Sequence, residues 1–259
     1  LEMPIYPNYN EEDMSDKAAL LPFYPQPFGP DVAASLASHY RGRTGSLFAV
    51  DDMVASVHRA LVRAGEADNT VIIFTSDNGW ILGEHRLYDW VTQDGNASGV
   101  KYVPFEGSSR VPLIIAGPGF PERKKVRGVT VNTDLAPTIL GLARAKGTLP
   151  RDGVSLRGAA RHPKRLVGRG VLIETAPNPR GVPPYKSIRT KRYRLDVTAG
   201  GAFEGLFDLK LDPWELQSVH DDPRYAQIHD ILRSALDRLA TCSGESCRFK
   251  LGKLPQPLP

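Results

Sequence analysis

The 259-residue chain sets 33 Lys and Arg against 29 Asp and Glu, a formal charge of +4. That small excess is dispersed, with no aromatic-interleaved basic stripe, which argues against nucleic acid as a partner. Hydrophobic content of 41% and charged content of 24% are those of an ordinary globular protein, and no apolar run nears the roughly 18 residues of a transmembrane helix.

Residues 1–30 are rich in Pro, Asn and Asp, and Pro4, Pro7, Pro22, Pro25, Pro27 and Pro30 predict an extended, surface-following segment. From 46 to 64, Leu47, Val50, Val54, Val57 and Leu61 recur at helical spacing, with Gly65 placed as a C-cap. Asp51, Asp52 and His58 of that helix read as a solvated face. Residues 71–75, V-I-I-F-T, have the length and composition of a fully buried strand, ended by Asp77-Asn78-Gly79. In an open α/β sheet ligands gather at that edge, where Asp77 and Asn78 offer two hard oxygens and Gly79 eases the turn. Taken alone, the same triplet is a strong type I′ hairpin signal.

A loop of about twenty-five residues comes next, containing Gly83, Gly95 and Gly99, a length that is often functional. Residues 111–116 predict a second buried strand, stopped by Gly117-Pro118-Gly119. Thr133-Asp134 is placed to cap a helix over 136–143. A Pro/Gly/Arg-rich stretch, 150–165, suggests a boundary between a domain at 1–150 and a smaller one at 151–259. In the latter, 171–174, 185–189, 193–197 and 206–209 predict an antiparallel meander, and 225–239 a helix with Ile228, Ile231, Leu232, Ala235, Leu236 and Leu239 on one face. The two cysteines, Cys242 and Cys247, bracket a short loop that in an oxidising compartment closes as a disulfide, with two free thiols as the alternative and half a zinc site a poor reading.

Besides Asp77 and Asn78, chemistry-bearing side chains fall in the long loop and just after it: Glu84, His85, Lys101, Glu106 and Arg110. Lys101, leading into the strand near Val111, is expected to bring its ammonium to the edge that holds Asp77. A cation beside two oxygen ligands suits an oxyanion bound to a divalent metal. His85 is a candidate general acid or substrate hydrogen-bond donor; taken singly, it and Lys101 read as solvated loop side chains.

The order of these residues resembles the sulfatase family of the alkaline phosphatase superfamily, with arylsulfatases and N-acetylglucosamine-6-sulfatase-like members as the nearest likeness. The resemblance rests on N-T-V-I-I-F-T-S-D-N-G-W-I-L-G-E-H-R at 69–86 and K-Y-V-P-F-E-G-S-S-R-V-P-L-I-I-A-G-P-G at 101–119. Shorter matches are N-E-E-D-M-S-D-K at 10–17, A-V-D-D-M-V at 49–54, T-D-L-A-P-T-I-L at 133–140 and L-F-D-L-K-L-D-P-W-E-L at 206–216. It implies a partial alkaline phosphatase-like α/β sheet flanked by helices, then a small antiparallel sheet with a C-terminal helix. It further implies that Asp77 and Asn78 ligate calcium, that Lys101 contacts the sulfate ester oxygens, and that His85 faces the substrate, a sulfated small molecule or glycan.

One departure narrows that reading. The family's nucleophile is a formylglycine made in a C/S-x-P-x-R motif, and no such motif occurs in these 259 residues. The resemblance therefore covers a C-terminal portion, with the nucleophile expected in an N-terminal half outside this chain. Asp77 and Asn78 supply two or three of the roughly 6–8 oxygens that Ca²⁺ takes, so the chain alone is expected to bind calcium weakly and to be inactive. An incomplete sheet predicts an unpaired edge and exposed apolar surface. A phosphodiester or phosphonate ester hydrolase of the same superfamily, and a non-catalytic module, are the alternative readings. The family implies a secreted, periplasmic or lysosomal setting, although no signal-peptide pattern begins at Leu1.

Overall fold

The structure, a computed structural model, describes residues 1–20, 26–90, 97–177 and 183–257. Pro22, Pro25 and Gly95 of the sequence reading lie outside the described residues. By internal contacts the chain forms two units, Leu1–Pro118 and Gly119–Pro259.

In the first unit, a Gly29-Pro30 start and Asp31 in the first turn open a helix, α1 (Pro30–Ala64), that begins well before the predicted 46. Gly42 and Gly45 cost about 1 kcal/mol each in helix propensity, which hid the first half from the sequence. The hydroxyls that could compete there bond back within the helix instead, Thr44 to the Tyr40 carbonyl (2.8 Å) and Ser46 to that of Gly42 (3.0 Å). Gly65 ends α1 as expected, with φ at 73°. Its N–H donates to Val62 O and that of Glu66 to Leu61 O, a Schellman closure.

Only Val32 and Leu36 of α1 are buried; Leu47, Phe48, Met53, Val57 and Val62 are exposed. The strands tell the same story. β1 (Ile72–Thr75) pairs antiparallel with a later strand, Leu113–Ala116, in register Ile72 to Ala116 and Thr75 to Leu113. The two form a two-stranded sheet. The sequence predicts the first to be fully buried and the second buried, yet β1 is half-buried and Ile114 is exposed; among the described residues no third strand joins them. Between them lie β2 (Asp89–Trp90), paired with β3 (Ala97–Ser98), and a short helix, α2 (Glu106–Ser109); Leu113–Ala116 is β4.

The N-terminal segment also departs from a surface-following strap. Glu11, Met14 and Lys17 are buried. They close over the G-E-H-R loop, where His85 N–H donates to Asn8 O (2.7 Å) and Asn10 N–H to Gly83 O (2.9 Å).

The second unit contains α3 (Leu135–Leu142), α4 (Leu156–Arg161), a meander of β5 (Val171–Glu174), β6 (Tyr185–Arg189), β7 (Tyr193–Thr198) and β8 (Glu204–Asp208), and α5 (Ala226–Leu239). The sheet runs β5-β6-β7-β8, antiparallel throughout. The apolar face of α5 (Ile228, Leu232, Ala235, Leu236 and Leu239) packs on Ile188, Tyr193, Leu195 and Leu206 of the sheet. Inside it, Arg194 Nε bonds both carboxylate oxygens of Asp196 (2.8 and 3.0 Å), all fully buried.

The unit starts at Gly119, about thirty residues before the boundary suggested at 150. Asp134 explains the difference. It does not cap α3 with its side chain; fully buried, it accepts from the two terminal Arg169 guanidinium nitrogens (2.7 Å each) and from the N–H groups of Val131 and Val154. Thr138 of α3 likewise accepts from Leu156 N–H. The helix that precedes the Pro/Gly-rich stretch is thereby tied to residues on its far side.

Candidate active site

Asp77 and Asn78 stand just past the C-terminal end of β1 in a tight local network. Asp77 Oδ1 accepts from Asn78 N–H (2.9 Å), and Ser76 Oγ donates to Asn78 O (2.9 Å). This is not a type I′ hairpin: that turn needs positive φ at both central residues, and neither Asp77, Asn78 nor Gly79 has it. Gly79 is required for another reason. Its N–H donates to Ser108 O (2.9 Å), and a Cβ built on it would lie 2.1 Å from Gly107 O. Only a glycine lets the turn run this close to the backbone of α2.

Lys101 joins them. Its Nζ donates to Asn78 Oδ1 at 3.0 Å, while Asn78 Nδ2 donates to Gly79 O (2.7 Å) and so fixes which face of the amide meets the ammonium. The route differs from the one expected. Lys101 is not carried in by β4 but by Val100, which exchanges two backbone hydrogen bonds with Ile81 (2.8 and 2.9 Å). Asp77 is exposed, whereas Asn78 and Lys101 are half-buried. The donor set is therefore a free-facing carboxylate and an amide oxygen, both hard, with a fixed ammonium next to them. Such oxygens fit Ca²⁺ in kind and fall short of its roughly 6–8 ligands in number.

Three neighbours were not legible in the sequence. Trp80 stacks on His39 (6.1 Å between centroids), and the Arg43 guanidinium lies 4.8 Å and Lys101 Nζ 5.9 Å from its ring. Burial, and then the Arg43 charge, lower the His39 pKa, which favours the neutral ring. His39 and Arg43 are spaced i, i+4 on α1, in the half of the helix that lies before the predicted start at 46. With Lys101, Arg43 gives this wall a positive character that suits an anionic ester.

His85 is elsewhere. It is 1% exposed, with Nδ1 at 2.6 Å from Glu11 Oε2, Nε2 at 3.2 Å from Asn8 Nδ2, and its ring stacked 3.9 Å from Phe105. Glu11 also takes Lys17 Nζ (3.0 Å), and Arg86 Nε donates to Glu11 O (2.5 Å). Burial lowers the His85 pKa, against the opposing pull of Glu11. Both ring nitrogens are spent inside the protein, so the substrate-facing role expected of His85 has no free nitrogen behind it. Glu84 is turned inward as well, accepting from Leu82 N–H (2.6 Å), and Glu106 lies 3.9 Å from exposed Arg110. In the second unit Cys242 and Cys247 form a disulfide, with Cα atoms 5.2 Å apart.

The family model described as Sulfatase matches residues 6–145, a span that includes Asp77, Asn78 and Lys101. The chain belongs to the sulfatase family. A second sulfatase model, for the C-terminal region of N-sulphoglucosamine sulphohydrolase, matches residues 83–241. Among curated sulfatases, an arylsulfatase of Chlamydomonas reinhardtii is 31% identical over 93% of this chain and 40% of its own length. The chain thus spans about two-fifths of the sulfatases it matches. Among solved structures, one in complex with its substrate D-glucosamine-2-N,6-O-disulfate superposes with a TM-score of 0.62 and 25% identity, over 78% of this chain and 39% of the other. The phosphonate monoester hydrolase of Agrobacterium radiobacter gives 0.60 and 26%, over 74% and 39%. These relatives confirm the α/β fold of the sulfatase and alkaline phosphatase group, and among the described residues no helix is long and apolar enough to cross a membrane.

Proposed function

We propose that the chain forms one wall of the active site of a sulfuric ester hydrolase. The observation that carries this is the Lys101–Asn78 contact beside Asp77, at the end of β1, in a sulfatase-family chain. Asp77 and Asn78 hold part of a calcium site, and the remaining oxygens and the formylglycine nucleophile come from sequence outside these 259 residues. When bound, Ca²⁺ polarises the sulfate and offsets its charge. Lys101, pinned by Asn78, aims its ammonium at ester oxygens that gain negative charge in the transition state, and because it is already oriented it needs no reorganisation then. Arg43 and Trp80 line the approach, favouring a sulfated glycan or another anionic ester. A secreted, periplasmic or lysosomal setting agrees with the Cys242–Cys247 disulfide.

The test is the full-length gene product, assayed on aryl sulfate, phosphate and phosphonate esters. Sulfate hydrolysis that is lost on chelation and restored by Ca²⁺ is expected, with Lys101→Ala lowering kcat by roughly 10²–10³-fold and the 259-residue chain alone inactive. The likeness to a phosphonate monoester hydrolase favours a second reading: hydrolysis of phosphonate or phosphate esters without sulfate turnover establishes it and ends the first. Absence of an in-frame C/S-x-P-x-R motif upstream of Leu1 would refute formylglycine chemistry.

A further inference from the structure

The second unit holds a cluster that the sulfatase reading leaves unused: Glu204 at the start of β8, His220 in the loop after that strand, and His229 in the first turn of α5. One ligand atom from each lies within 4.8 Å of the others. The three are carried by rigid supports. Val219 N–H donates to Leu206 O (2.7 Å) and Leu206 N–H to Ser218 Oγ (3.1 Å), tying the loop to β8. His229 flanks Ile228, whose side chain is buried in the core.

The atoms are arranged as a ligand set. His229 Nε2 stands 2.7 Å from Glu204 Oε1, and Arg233, one turn along α5, takes the other carboxylate oxygen, Oε2, at 3.0 Å. His220 sits edge-on to His229, 5.5 Å between ring centroids. Its Nδ1 is buried and has no hydrogen-bond partner among the described residues, an arrangement that costs free energy in a finished structure. Each imidazole turns its other nitrogen to a carboxylate: His220 Nε2 lies 3.2 Å from Asp221 Oδ1, and His229 Nδ1 lies 3.5 Å from Asp230 Oδ1. Both carboxylates are largely exposed; on closing to hydrogen-bond distance they would orient the rings as outer partners of metal-ligating imidazoles do.

We infer that Glu204, His220 and His229 form a divalent transition-metal site, with Glu204 Oε1, His220 Nδ1 and His229 Nε2 as ligands and Zn²⁺ as the ion that two imidazoles and a carboxylate suit best. Ligands about 2.0–2.2 Å from zinc stand roughly 3.3–3.6 Å apart in a tetrahedron, so the Glu204–His229 pair opens slightly and His220 closes in by side-chain rotation. With three protein ligands, a fourth position is left for water. The site is distinct from the calcium ligands proposed at Asp77 and Asn78, which are all oxygen, and it would clamp the His220 loop and α5 to the edge strand β8.

The experiment titrates the metal-free 259-residue chain with zinc chloride by calorimetry and with Co²⁺ by visible absorption, alongside His220→Gln, His229→Gln and the control His58→Gln at an exposed histidine on α1. Expected are one equivalent of Zn²⁺, ligand-field absorption of a nitrogen- and oxygen-bound Co²⁺, and at least about a tenfold loss of affinity in the first two variants but not in the control. Should a variant fail to fold by circular dichroism, ¹⁵N shifts of the histidine rings in the wild-type chain decide instead, with His220 and His229 moving on zinc addition and His39 and His58 not. Less than one equivalent bound, affinity unchanged in folded His220→Gln and His229→Gln, or shifts confined to other histidines overturns the site.

Discussion

The two units spend their apolar residues differently. In Gly119–Pro259, α5 lays Ile228, Leu232, Ala235, Leu236 and Leu239 on the four-stranded sheet while Ile231, expected on the same face, stays half-buried, and the buried charges Asp208 and Arg194 are paired. In Leu1–Pro118, a 35-residue helix buries two of its side chains, and a two-stranded sheet leaves Ile114 in solvent. Apolar residues at helical spacing in α1 predict a face that wants a partner, and the structure shows that the face has not found one among the described residues. In the second unit α5 and the four-stranded sheet close one core between them. The first exposes surface of the kind that marks an interaction site, and its wall of catalytic candidates is attached to that surface.

The contrast can be broken most forcefully at the buried Arg194–Asp196 pair. Asp196→Ala removes the nearer of two carboxylates around the fully buried Arg194 guanidinium, leaving Glu215 at 3.7 Å, and is expected to cost about 3 kcal/mol, read by denaturant unfolding of the second unit; a loss below about 1 kcal/mol would mean that Glu215 takes over the pairing. Leu232→Ala comes next, at about 2–5 kcal/mol for a fully buried side chain, set against Val57→Ala on the exposed face of α1, where the change stays within about 0.5 kcal/mol. Equal losses at both positions would show that α1 is covered in solution.

His85 supplies a pH test confined to the first unit. Its pKa is depressed in the folded state, so the native protein holds a neutral ring while the unfolded chain takes up a proton below about pH 6.5. Stability from this group is complete above that pH and drains as pH falls toward the folded pKa, by at most about 1.4 kcal/mol per pH unit. Thermal melts between pH 7.5 and 5 should show the first unit weakening, and His85→Gln should flatten that slope; an unchanged slope would remove His85 as its source. The smallest effect is expected of Ile114→Lys. Stability should move by no more than about 0.5 kcal/mol, while self-association, read by light scattering, should fall as a charge enters an open strand.

Legibility followed the same divide. The bounds of β5 and β6 were readable to the residue, because short β-rich runs between turn residues meet local partners that satisfy them. Asp77, Asn78 and Lys101 were readable as a group from the resemblance, and the Asn78–Lys101 contact is where the structure joins two of them. His85 was not. Its surroundings depend on Asn8, Glu11 and Phe105, and a segment more than seventy residues upstream leaves no periodic trace beside the histidine. Asp134 misled for a related reason: an Asp before a helix is a good cap by local rules, but a distant arginine competed for the same oxygens.

The paired backbone hydrogen bonds between Ile81 and Val100 act as a clasp. They hold Val100, and with it Lys101, beside the strand end that carries Asn78. The excursion they close is built into the unit: His85 and Leu87 are buried, and Ala97 packs with Phe28, Val32 and Leu36, so a change of loop reaches the Asn78–Lys101 contact only through that packing.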